Sequence, residues 1–296
     1  MSATAGVEGT PVDIGSLVEP ATLALIDTGP STHGWHPRED ILRCPRLYAA
    51  KRILFALADS GRLAYPEPLV RGSMVHAGLA HRYELRRKGG RRDILQPFDA
   101  VVESGRRMRA PEDLVTKAAA ALRAYEEEYA RERLEVLAVE QEHEAAMELP
   151  GGGTAAYSAR VDLETVDRFG RITWWDHKTA AKMEQKSHTR YNLAGQILGL
   201  QWLGARIHGP RFAGVKINLI SVETKPKFWR GAPDPSPAAL RFFPRCVELA
   251  DKRIAGYEGL APNDYPMVPS ELTCMTQYGP CPALSFCQWG SLEYTE

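Results

Sequence analysis

Two aspartates and a lysine carry the most specific chemistry in this chain. Asp162 lies in Arg160-Val-Asp162-Leu-Glu164, and the second pair lies in Trp174-Trp175-Asp176-His177-Lys178-Thr179. Between them Asp167-Arg168-Phe169-Gly170 has turn composition. A hairpin closing about Phe169 sets Asp162 opposite Asp176. Directly opposed side chains have Cβ atoms roughly 5 Å apart, where like charges repel. A divalent cation relieves that repulsion, because hard cations take carboxylate oxygens. Residues 174, 176 and 178 share one face of a strand, so Lys178 projects beside Asp176. An ammonium there can orient a metal-bound water or stabilise charge on a phosphoryl oxygen. Two carboxylates, a metal and a lysine form a site for phosphodiester hydrolysis. His177 points to the other face, which leaves its backbone carbonyl as its one means of reaching the metal.

The cysteines are the second chemical feature. There are five, Cys44, Cys246, Cys274, Cys281 and Cys287. An odd count in a chain of this length argues against a disulfide framework. Three fall close together in a Pro-rich end, but with no Cys-x-x-Cys pair they match a zinc ribbon poorly. Cys246 lies in an expected helix and reads as a plain thiol.

The elements that must position these groups follow from periodicity and breakers. Helices are expected from about Ile41 to Ser60, from Gly72 to Lys88, and from Pro111 to about Arg133. Strands follow at Leu134–Leu149, Ala155–Glu164 and Ile172–Lys178, then a helix at about Ser187–Arg206 and a strand at Phe212–Glu223. A linker at 231–237 leads into a last helix from Ala238 that Gly259 stops, and an irregular tail. Within Leu193–Ala205 the polar side chains are Gln196 and Gln201. A buried Gln196 amide must find partners, in a neighbouring strand or in nucleic acid.

The chain has 296 residues, 44% hydrophobic and 25% charged, with 37 basic and 37 acidic side chains. It can bury a full core without disulfides. It has no run of 18 apolar residues, and Met1 to Pro20 lacks a signal-peptide pattern, so a soluble cytoplasmic protein is expected. Charge is uneven: residues 171–230 hold eleven Lys/Arg against three Asp/Glu, and residues 111–150 hold four against eleven. The basic stretch could meet a polyanion or could be an ordinary solvated face.

These residues resemble the PD-(D/E)XK nuclease superfamily, in its RecB-like branch. Gly72-Ser-Met-Val-His76 is similar to the branch's helical Gly-x-x-x-His motif, which implies His76 as a metal ligand. A glutamate one strand before the first aspartate is implied at Glu140 or Glu142. Asp162 matches the Gly-x-x-Asp aspartate, with Ala159 at the glycine position, and Asp176, Lys178 and Thr179 match Asp-x-Lys-Thr. Gln196 matches the start of Gln-x-x-x-Tyr, with Leu200 at the tyrosine position. One N-terminal and three C-terminal cysteines resemble the subset holding a 4Fe–4S cluster, which implies Cys44, Cys274, Cys281 and Cys287 as ligands; the six-residue gap before Cys281 is longer than usual.

The resemblance implies an α/β restriction-endonuclease-like core, a central mixed sheet flanked by helices, with the cysteine-bearing tail joined to the N-terminal helices by the cluster. It divides the chain into a flexible segment 1–30, a helical part 31–133, a nuclease core 134–230 and a cluster-bearing end 231–296. It implies Mg²⁺ or Mn²⁺ held by His76, Asp162 and Asp176, the imidazole favouring Mn²⁺. It further implies catalysis by Asp162, Asp176 and Lys178, with Glu140 and Gln196 as accessories. Single-stranded DNA is the expected substrate and exonucleolysis the expected activity, as in CRISPR adaptation and phage-encoded relatives. A structure-selective endonuclease and a non-catalytic iron–sulphur DNA-binding subunit remain open alternatives.

Overall fold

A computed structural model describes residues 24–90, 96–183, 189–276 and 279–289; most of the expected flexible segment lies outside them. The first expected helix is two helices, α1 (Trp35–Arg43) and α2 (Pro45–Asp59). Cys44 between them is extended at φ −164° and ψ 118°. The cause is Pro45, which disfavours helical backbone in the preceding residue and suits a helix's first position. α3 (Glu67–Arg87) begins earlier than the sequence suggests, and α4 (Pro97–Arg107) precedes α5 (Glu112–Glu128).

Five strands form one sheet in the order β1 (Glu135–Glu148), β2 (Thr154–Val166), β3 (Ile172–Ala180), β4 (Phe212–Ser221) and β5 (Phe228–Gly231). Neighbours are antiparallel except β3 and β4, which are parallel. A parallel pair needs a crossover, and α6 (Gly195–His208), preceded by a 3₁₀ turn at Thr189–Leu193, supplies it. β5 ends at Gly231, where the expected linker begins, and α7 (Pro237–Gly256) follows.

Helices cover both faces. On one, Ile197, Leu200 and Leu203 of α6 and Phe243 and Val247 of α7 pack on Tyr157, Val161, Trp174 and Leu219. On the other, Met74, Leu79, Val101, Leu122 and Tyr125 of α3–α5 pack on Leu163, Trp175 and Ile220. β3 is therefore buried from both sides, with Trp174 on one core and Trp175 on the other. A third, smaller core joins α2 to the tail, where α8 (Glu271–Cys274), β6 (Met275–Thr276), β7 (Gly279–Pro280) and α9 (Leu284–Trp289) are short. Arg46 fastens this tail by donating to the Tyr265 carbonyl at 2.8 Å. Among the described residues no helix is long and apolar enough to cross a membrane.

Candidate metal and catalytic site

The β2–β3 ladder pairs Leu163 with Trp175 and Glu164 with Trp174, the register of a hairpin centred near Phe169. Extending it by one residue sets Asp162 opposite Asp176, where the ladder has already ended. Across the other edge of β2, Val139 pairs with Leu163 and Gln141 with Val161, so Glu140 faces Asp162. Glu140 has a positive φ of 50°, rare for a residue with a Cβ.

The ribbon changes face at this point. Tyr157, Ala159 and Val161 pack into the α6–α7 core, but Leu163 packs into the α3–α5 core. On β1, Ala145 and Met147 meet the first core, and Val139 and Val136 the second. Interrupted alternation at Glu140 and Asp162 frees both carboxylates from ordinary strand geometry. They converge with His76 of α3: one ligand-capable atom from each of His76, Glu140 and Asp162 lies within 4.8 Å of the others. Gly72, one turn earlier on α3, faces β3, where a Cβ would make an ordinary contact 3.5 Å from Thr179 Oγ1.

Asp176, 4% exposed, is held differently. Its Oδ1 accepts from Lys178 Nζ at 2.9 Å and from Gln196 Nε2 at 3.0 Å, while Gln196 Oε1 accepts from Lys178 Nζ at 2.8 Å. The Gln196 amide thus finds its partners in β3. Asp176 Oδ2 is buried without a hydrogen-bond partner, as is Glu140 Oε1. Glu142 turns away, accepting from the Thr32 amide at 2.7 Å. Leu200 is buried in the α6–α7 core. Tyr191, in the turn before α6, and His36, on α1, both come within electrostatic range of Lys178; neither sits in a motif that singles it out in sequence.

The charges are those of a cation site. Burial and then the neighbouring Asp162 push the Glu140 carboxyl well above its usual range. Asp162 is also raised, by burial, with His76 opposing and Asp176 adding to the rise. Burial alone would lower the Lys178 ammonium, but Asp176 and Asp162 outweigh it and leave it raised. Lys178 is accordingly a proton-bearing cation at neutral pH. Buried carboxylate oxygens without donors, beside a neutral-capable imidazole, fit a divalent cation. His76 Nε2 lies 2.9 Å from the His177 carbonyl, which can only accept, so Nε2 carries a proton and Nδ1 is the nitrogen that can offer a lone pair to a cation. Nδ1 faces Asp162 Oδ1 at 3.7 Å. The His177 carbonyl, a candidate ligand by sequence, accepts from His76 Nε2 and keeps a second lone pair.

Cys44, buried at the α1–α2 break, shares the third core with Cys281, and Cys287 packs against it. The Cys281 amide donates to the Cys274 carbonyl at 2.7 Å. Cys44, Cys274 and Cys281 all bear electrostatically on Cys287, whose thiol burial pushes up, with Arg46 opposing. None of these four cysteines forms a disulfide, and neither does Cys246 on α7. The basic excess of residues 171–230 is partly offset by acids outside that stretch: Arg230 pairs with Glu132 and, at the surface, Arg171 with Asp167. The sequence sum overstates the charge offered to a polyanion.

No curated protein sequence matches this chain. Among solved structures it is similar to the crystal structure of SSO0001, at 13% identity over 72% of this chain and 90% of that one, TM-score 0.31. It is also similar to a protein described as a “putative exonuclease” from Eubacterium rectale, at 12% identity over 81% of this chain and 85% of that one, TM-score 0.46. The profile of the PD-(D/E)XK nuclease superfamily matches residues 38–288, a span that takes in the helix carrying His76, the whole mixed sheet and the cysteine tail. The acidic pocket at the end of the β2–β3 ladder and the Asp176–Lys178 pair on β3 lie inside that span, and the chain belongs to the PD-(D/E)XK nuclease superfamily.

Proposed function

We propose that the protein is a metal-dependent DNA exonuclease that degrades single-stranded DNA and carries a 4Fe–4S cluster in its tail. The observation that carries the catalytic part is the convergence of His76, Glu140 and Asp162 beside an Asp176 whose free oxygen is buried. His76, Asp162 and Asp176, with Glu140, would hold Mg²⁺ or Mn²⁺. When bound, the cation supplies Lewis-acid stabilisation of the scissile phosphate and lowers the pKa of a coordinated water. Lys178, protonated and braced between Asp176 and Gln196, orients the attacking water and stabilises charge on the phosphoryl oxygen. With its side chain 29% exposed, Lys178 can be reached by a substrate.

Four unpaired thiols from both ends of the chain, with Arg43 and Arg46 acting on them, suit an anionic cluster. We read that cluster as a staple that closes the tail onto α2 and not as a participant in hydrolysis.

The test is anaerobic purification followed by a visible spectrum, metal analysis and Mn²⁺-dependent digestion of end-labelled single-stranded DNA, run beside a plasmid-nicking assay. Mononucleotide or short products that disappear with Lys178→Ala support the reading. Plasmid nicking without digestion of linear single strands replaces exonuclease by endonuclease. DNA left intact by a metal-loaded protein rejects the catalytic assignment.

A further inference from the structure

Residue 177 joins the site to a buried polar network on the α3–α5 side of the sheet, the side from which His76 enters, with the His76 and His177 ring centroids 6.0 Å apart. Both main-chain polar groups of a strand residue point to the same side, and the β2–β3 ladder ends at Leu163 and Trp175. The N–H and C=O of His177 therefore meet no strand partner and must be satisfied otherwise. The N–H donates to Asp162 Oδ2, and the C=O accepts from His76 Nε2. Two residues of the acidic pocket are thus oriented by the main chain of one residue.

The ring of that residue is itself fixed. It is 2% exposed and stacks on Tyr83 at 5.8 Å between ring centroids. Its Nδ1 lies 3.1 Å from Asn218 Nδ2, across the β3–β4 pair. The orientation of the Asn218 amide is set by Arg230, whose Nε donates to Asn218 Oδ1 at 3.1 Å. Arg230 has no acceptor, so the oxygen must face it and the NH₂ must face His177. The same NH₂ donates to the Tyr125 hydroxyl at 2.9 Å, and Arg230 is anchored by Glu132 and by Tyr125 at 2.6 Å. Asn218 is fully buried.

We propose that Asn218 is a positioning residue of the nuclease: held by Arg230, it fixes the His177 ring and thereby the backbone groups that aim Asp162 and His76 at the cation. This rests on the metal-site reading above. A network serving only as core filling would influence stability but not the affinity of the cation site. Outer partners of metal ligands typically change affinity by about 10–100-fold when removed.

The decisive variants are His177→Phe, which keeps a ring against Tyr83 but loses the acceptor, and His177→Asn, whose side-chain oxygen can take the place of Nδ1. Mn²⁺ dissociation constants are measured by electron paramagnetic resonance on the full chain, with unfolding curves recorded alongside. His177→Phe is expected to weaken Mn²⁺ binding about tenfold, and His177→Asn to stay within about threefold of wild type. Asn218→Ala is expected to weaken binding in the wild-type background but not on top of His177→Phe. Equal affinities for wild type and His177→Phe overturn the proposal, as does an Asn variant as weak as the Phe variant. If Asn218→Ala does not fold, the two position-177 variants still read the contact.

A wild type that binds no Mn²⁺ would overturn the metal-site reading instead. Positioning is then decided by the ¹⁵N spectrum of His76 in the metal-free protein. A single Nε2–H tautomer in wild type and His177→Asn, with mixed tautomers in His177→Phe, supports it. An unchanged His76 spectrum in His177→Phe overturns it.

Discussion

Glu140 and Asp162 face each other across the β1–β2 ribbon with ligand-capable atoms within 4.8 Å, and Glu140 does so from a left-handed backbone at φ 50°. Neither the strain nor the juxtaposed carboxyls stabilise the metal-free fold.

Glu140→Gln should consequently stabilise the metal-free protein while impairing metal binding. Because burial and Asp162 raise the folded-state pKa of Glu140, its contribution to stability is present below the unfolded value of about 4.3 and is lost as pH rises through the higher folded value. Removing the charge abolishes that loss, so the stability gap between variant and wild type should widen with rising pH. Each unit of elevation is worth about 1.4 kcal/mol. Thermal unfolding in chelator from about pH 5 to 8, set beside Mn²⁺ titration, reads both effects. A variant no more stable than wild type at the upper end would contradict the account.

Much of this geometry was legible in the sequence, and the exceptions have physical causes. The β2–β3 register followed from the turn at Phe169, since in a short hairpin the turn dictates every pairing. Glu140 and Glu142 could not be separated, because alternation puts residues two apart on one face. The left-handed backbone at Glu140 breaks that alternation, leaving Glu140 buried and Glu142 bonded to Thr32. The break at Cys44 was signalled by Pro45 but hidden in an apolar pattern that runs through both helices. Asn218 and Arg230 were invisible for another reason: their partners come from α3, α5 and β3, and no local pattern encodes contacts so distant in sequence.

Lys178→Met separates catalysis from binding. Lys178 bonds Asp176 and Gln196 and has no lone pair in its protonated form, so it is not a ligand. Cleavage should fall about 10²–10³-fold, the scale for losing a positioned electrostatic group. Mn²⁺ affinity should be no weaker, because a competing cation has gone. Loss of metal binding along with activity would instead make Lys178 a structural brace of the pocket.

Gln196 offers a finer probe of the same geometry. Gln196→Leu leaves Asp176 Oδ1 with one donor in place of two and Lys178 Nζ with one acceptor fewer. A lost hydrogen bond to a buried charged group costs about 1.5–3 kcal/mol. A drop of several degrees in unfolding midpoint and about a tenfold lower kcat are expected, with KM for DNA little changed. If KM rises and kcat holds, Gln196 contacts the substrate and its bonds to Lys178 and Asp176 are incidental.

The cysteine tail permits a test that leaves the nuclease pocket untouched. Cys281 is 8% exposed, shares a core with Cys44 and receives its amide's acceptor from Cys274. A serine there replaces a soft thiolate with a hard oxygen that an iron–sulphur cluster binds poorly. Cys281→Ser should therefore lose visible absorption and iron and become sensitive to proteolysis within residues 266–289. Mn²⁺ affinity should persist, since His76, Glu140 and Asp162 lie outside the third core, which holds Cys44 and Cys281. Cys246→Ser is the matched control, because that thiol lies on α7 and outside the third core. The iron–sulphur assignment fails if the wild type carries zinc and no iron, or if colour survives Cys281→Ser. A tail that stays protected without the cluster would show that Arg46 and the packing around Phe286 suffice to hold it.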